Sequence, residues 1–250
     1  MPYALASGLI APGSPEATGV LRYMLLHGSR MLGLVRAGAF SIYGKRPRYP
    51  ESGVNPVYGL NVARFLADND QADQLVLSLY GYLAIGLAPG TFVAGEAGSV
   101  APVSGERYRS MYLPPNGASE ASFLETLRLM LVHETCDRTA GPTGLELAYS
   151  TPRAWLEPGR EIVVRDVPTS FGPVAFDIRS ERSHVYVSLD VPARSVPPLL
   201  HLRLRLPRGA RIMRVSLAGR PFGTFDSATA TLDLSGLSGH LDLVVDVDRR

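Results

Sequence analysis

Two periodicities divide this chain. From Ser14 to about Glu134 apolar residues recur at the spacing of one helix face, and from Leu145 onward they alternate with polar ones. Ser14-Pro15-Glu16 starts the first expected helix with a cap, a proline in the first turn and an early acid. Val20, Leu21, Met24, Leu25, Met31, Leu32 and Val35 carry it toward Ala37-Gly38. A second helix is expected from about Val57 to Ala67, and Asp68-Asn69-Asp70 breaks the run and caps a third through Leu75, Leu79, Leu83 and Leu87. A fourth begins near Asn116 or Ser119 and carries Phe123, Leu124, Leu127, Met130 and Leu131. Cys136 to Gly144 reads as a polar linker.

Beyond the linker the repeat is two. Val174/Phe176/Ile178, Val185/Val187/Leu189/Val191, Leu200/Leu202/Leu204 and Leu241/Leu243/Val245/Val247 predict strands with one wet face. The expected fold class is therefore α+β in two segregated parts: antiparallel helical hairpins over residues 1–140, then an antiparallel β-sandwich over 144–250. Long and short connections alternate between the helices, so an up-down arrangement puts the loops 38–56 and 89–116 on one rim.

Those loops hold the candidate chemistry. Glu96, set among Ala94, Gly95, Ala97 and Gly98, is the preferred general acid or base, and Glu106 is second. Tyr43, Tyr49, Tyr108 and Tyr112 either stack on a polyhydroxylated ligand or anchor the loops. Arg107 and Arg109 either bind substrate or pair with neighbouring glutamates; Asn116 and Glu120 at the helix start are further substrate-binding candidates, with Glu120 also an available carboxylate. Glu125 fits a capping box with Ser122. His133, Glu134, Cys136 and Asp137 make a poor metal set and read as helix-terminal charge beside a buried thiol, so no metal or cofactor is expected. Signatures of a serine nucleophile elbow, a phosphate loop and a dinucleotide fold do not occur in the sequence.

A formal net charge of +2 gives no reason to expect a nucleic-acid partner or an anionic membrane. The arginines from Arg203 to Arg214 read as a solvated face. No apolar run is long enough for a membrane span and Met1 to Gly8 lacks a secretory pattern, so a soluble chain is expected.

The order of parts, with YRSMYLPPNGASEASFLETLRLMLVHE leading to GLELAYSTPRAWLEPGREIVVRDVPTSFGPVAFDI, resembles the C-terminal end of bacterial six-hairpin, (α/α)6-toroid glycoside hydrolases. That resemblance implies a carbohydrate substrate, cleavage of glycosidic bonds and no redox cofactor. Four helices make only part of such a ring. The chain is therefore expected to be a portion of a longer enzyme, with its helical flank covered by a preceding region or a second copy. The alternative is a non-catalytic carbohydrate-binding or structural module.

Overall fold

The computed structural model describes residues 5, 7–28, 30–37, 53–102, 107, 109–137 and 139–249. The chain forms two compact units, Met1–Leu129 and Met130–Arg250.

In the first unit, helix α1 (Pro15–Leu26) is capped as expected, with the Ala17 amide donating to Ser14 Oγ at 3.1 Å. It stops eleven residues short of Ala37. After Gly28 the chain turns into a hairpin, β1 (Arg30–Met31) and β2 (Leu34–Ala37), whose two loop residues Leu32 and Gly33 both have positive φ, as a type I′ turn requires. Helices α2 (Gly59–Asp68) and α3 (Ala72–Gly81) follow, and a single wide π-turn, Tyr82–Gly86, extends α3. The hairpin turn lies flat on α3. A Cβ on Gly33 would overlap the Leu77 carbonyl oxygen, and one on Gly81 would overlap the carbonyl oxygen of Leu32. Arg30 fastens this contact by donating to the Gly33 carbonyl, Gln74 Oε1 and Ser78 Oγ. Burial lowers its pKa to about 10.

Three further short strands lie in what was expected to be loop: β3 (Gly53–Val54), β4 (Ala97–Ser99) and β5 (Met111–Tyr112). They complete a sheet of order β1-β2-β3-β4-β5. The pairs Gly53↔Ser99 and Val54↔Gly98 bring the ends of the two long loops together.

Helix α4 (Gly117–Leu131) runs directly into β6 (Val132–Asp137), which pairs with β7 (Gly141–Leu147). The expected linker is thus a hairpin. Asp137 closes its turn by accepting from the Thr139 hydroxyl and the Ala140 and Thr139 amides, which holds its pKa at about 2. Cys136 is exposed on this hairpin, not buried. Strands β8 (Arg160–Val167), β9 (Val174–Ser180), β10 (His184–Val191), β11 (Leu199–Arg203), β12 (Ala210–Leu217), β13 (Arg220–Phe222), β14 (Phe225–Asp226), β15 (Thr231–Asp233) and β16 (Gly239–Arg249) follow. They form a six-stranded sheet, β13-β12-β16-β10-β9-β8, and a five-stranded sheet, β14-β15-β11-β7-β6. Both contribute to one core that includes Leu145, Leu147, Phe176, Ile178, Leu189, Leu200 and Val245. Strands β7 and β11 run parallel, so the second unit is mixed rather than antiparallel.

The expected fold class is overturned. The chain is dominated by three β-sheets, and the helices among the described residues are four and short, so it is not a helical-hairpin toroid followed by a sandwich. The error has a physical origin. Apolar spacing over residues 20–35 satisfies a helix face equally well whether the last turns are helical or folded back as a hairpin. Strands of two or three residues are too short to display alternation.

Two arginines of the second unit are held by backbone and hydroxyl oxygens, the first against expectation. Arg205, read as part of a solvated face, is buried and donates to the Thr151 carbonyl at 2.9 Å. Arg249 on β16 reaches the Leu156 carbonyl at 3.0 Å and Ser180 Oγ at 2.7 Å.

On the outer face of the six-stranded sheet, His240 Nδ1 lies 2.7 Å from Asp190 Oδ1 and its Nε2 lies 3.3 Å from Asp242 Oδ1. The hydrogen bond to Asp190, followed by the charge of Asp242, raises the histidine's pKa. A raised folded-state pKa gives stability that is fully present below the unfolded value and lost as pH climbs through the folded one. Wild type should therefore melt above His240→Gln near about pH 5.5 and lose that lead by about pH 8. All three side chains are more than half exposed, so the difference should be small and shrink with added salt. Melting curves across that pH range check it.

Candidate functional site

The π-turn that ends α3 hands the chain to a tight turn built on Pro89 and Gly90. The Ala88 amide donates to the Val93 carbonyl at 2.8 Å, and Leu87 bridges to Ala94. The chain then enters β4. The start of α4 fixes this turn from behind, because the Asn116 amide donates to the Ala94 carbonyl at 2.8 Å and the Ala94 amide donates to Glu120 Oε1 at 3.3 Å. The Asn116 side chain caps α4 by accepting from the Ser119 amide at 3.0 Å. Asn116 and Glu120, two of the expected substrate-binding residues, thus both hold backbone at this turn.

Between the turn and the β4–β5 ribbon lies a cleft of ≈ 320 Å³. Ile85, Ala88 and Pro89 form one side, Gly98, Ser99, Ser110 and Met111 the other, and Arg107 and Arg109 complete it with Pro102. Arg109 Nη1 donates to the Ile85 carbonyl at 3.2 Å, which sets the guanidinium across the cleft. Ser99 Oγ accepts from the Ser110 amide at 3.0 Å and so fixes the ribbon where it carries the arginines.

Register decides the remaining positions. Gly98 pairs with Met111 and Ala97 with Tyr112, and Glu96 stands just before the strand with its amide donating to the Tyr112 carbonyl at 2.9 Å. Glu96 is half-buried, and its side chain has no hydrogen bond or ion pair among the described residues, but it is not among the groups that line the cleft. The small residues around it serve packing: a Cβ on Gly95 would come within 2.8 Å of the Tyr112 carbonyl oxygen. Arg107 and Arg109 are brought together, whereas Tyr43, Tyr49, Glu106 and Tyr108 lie outside the described residues.

Sequence reading missed Ile85, Ser99, Ser110 and Met111. Ile85 sits in a π-turn, which the helical spacing of its neighbours conceals, and the other three lie in or beside strands two or three residues long. Glu125 makes no capping box, since it pairs with Arg64 at 3.1 Å and the Ser122 hydroxyl donates to the Ala118 carbonyl.

A second depression, ≈ 360 Å³, crosses the outer face of the six-stranded sheet at Glu161, Asp177, Arg179, Tyr186 and Asp242. Its charges are largely satisfied within the face. Arg165 pairs with Asp177 at 2.7 Å, and Arg179 sits 4.9 Å over the Tyr186 ring. His133 and Glu146 form a 2.8 Å contact between β6 and β7, and no group of three or more metal-ligating side chains occurs among the described residues. Among those residues no helix is long and apolar enough to cross a membrane.

No protein-family model matches the chain, and no curated protein matches it. Solved structures that resemble it include two glycoside hydrolases. One, a glycoside hydrolase, is 13% identical with a TM-score of 0.37, covering 76% of this chain and 32% of its own. The other, a GH127 beta-arabinofuranosidase, is 8% identical with a TM-score of 0.35, covering 88% of this chain and 37% of its own. The chain thus spans about a third of the length of each. At such values neither likeness bears on the chemistry of the cleft.

Proposed function

We propose that this chain is a carbohydrate-active portion of a glycoside hydrolase, with the sugar held in the cleft beside Arg107 and Arg109 and Glu96 as general acid or base. The supporting observation is the cleft itself, a concave, partly apolar site with two arginines, whose Gly98 wall lies two residues along the chain from Glu96, a half-buried carboxylate without a hydrogen bond or ion pair among the described residues. In hydrolysis such a carboxylic acid would give its proton to the departing glycosidic oxygen, or as carboxylate would take one from the attacking water. Twelve of the fifteen exposed large apolar side chains among the described residues belong to the first unit, among them Leu26, Phe92 and Leu124. Coverage of these side chains by a preceding segment or a second copy belongs to the same reading.

A non-catalytic carbohydrate-binding module is the second reading. It is favoured by the cleft's lining, which among the described residues includes no carboxylate. Glycoside hydrolysis and glycan binding measured side by side separate the two. For an enzyme, Glu96→Gln should lower turnover by roughly 10²-fold or more while sugar affinity stays within about twofold. Unchanged turnover removes Glu96 from the chemistry, and glycan binding without hydrolysis in the wild type leaves the binding module.

A further inference from the structure

We infer that the sugar taken by this cleft is anionic, its charge carried by a ring carboxylate or a sulfate ester. The inference rests on the reading of the cleft as a sugar site and adds the ligand's charge. Arg107 and Arg109 both line the cleft, and no acidic side chain lines it among the described residues. A neutral sugar presents as many hydroxyl donors as acceptors and is best met by side chains of both kinds. Among the described residues that line the cleft, the charged side chains are both donors. Arg109 is held through one Nη to the Ile85 carbonyl, which fixes its plane and leaves its other N–H groups without a partner among the described residues. A guanidinium fixed in this way suits the paired oxygens of a carboxylate or sulfate. Ile85, Ala88, Pro89 and Met111 make the surrounding wall apolar, which weakens solvent screening and strengthens attraction to a negative ligand.

Titration calorimetry of the chain with trigalacturonate, with its carboxyl-reduced counterpart and with a sulfated disaccharide tests this. One of the two acidic sugars should bind at least roughly tenfold more tightly than the reduced one. Its identity tells carboxylate from sulfate, and the advantage should shrink as salt is raised. Arg107→Gln and Arg109→Gln should each erase most of the preference. If loss of the Ile85 bond unfolds the Arg109 variant, Arg107→Gln decides alone. Equal binding of the reduced sugar overturns the inference and leaves a sugar site standing, whereas failure of all three sugars to bind overturns both.

Discussion

Gly33→Ala is expected to cost about 3 kcal/mol or more and to disrupt the first unit. Two penalties add. The residue sits at φ 82°, where a side chain costs roughly 1 kcal/mol, and its Cβ would overlap the backbone of α3 at Leu77. A backbone atom cannot rotate away as a side chain can, so the hairpin must lift and loosen the bonds that Arg30 makes to the Gly33 carbonyl, Gln74 and Ser78. Gly117→Ala is the contrast. That position lies in the first turn of α4 with nothing near its missing Cβ, and alanine there should be neutral or stabilising by roughly 0.5 kcal/mol. Helical circular dichroism during urea unfolding reads both variants, and equal midpoints would mean that the turn does not rest on α3.

Phe176→Ala should cost about 3–5 kcal/mol, because the ring is 1% exposed at the centre of the second unit's core and its removal leaves a cavity that rigid strands cannot close. Asp177→Asn, one residue along and on the outer face, removes only a partly exposed ion pair with Arg165 and should change stability by less than about 1 kcal/mol. Trp155, the chain's single tryptophan, packs against that core and reports its unfolding by fluorescence. A midpoint for Phe176→Ala close to that of Asp177→Asn would contradict the placement of the core.

The difference between the halves in how far sequence discloses structure follows from element length. In the second unit, runs such as Val185 to Val191 and Leu241 to Val247 alternate long enough for the buried face to be read directly, and those residues are buried. The parallel pairing of β7 with β11 was not legible, since alternation says which face is wet and nothing about which strand is the neighbour. In the first unit, Leu32-Gly33 lacks the asparagine or aspartate that usually marks a tight hairpin, and it lies in a run whose spacing also suits a helix. Of the candidate site, Arg107 and Arg109 were legible as charged residues in a long loop. The Ile85 carbonyl that Arg109 meets was not, because a contact across twenty-four residues leaves no trace in residue type.

The passage from α4 to β6 has a practical corollary. Leu131 closes the helix and Val132 opens the strand with no residue between them, while Met130 already belongs to the second unit and is fully buried. The boundary between the two units therefore falls inside a helix. Anyone expressing either half alone must sever a helix and choose which fragment inherits its final turn.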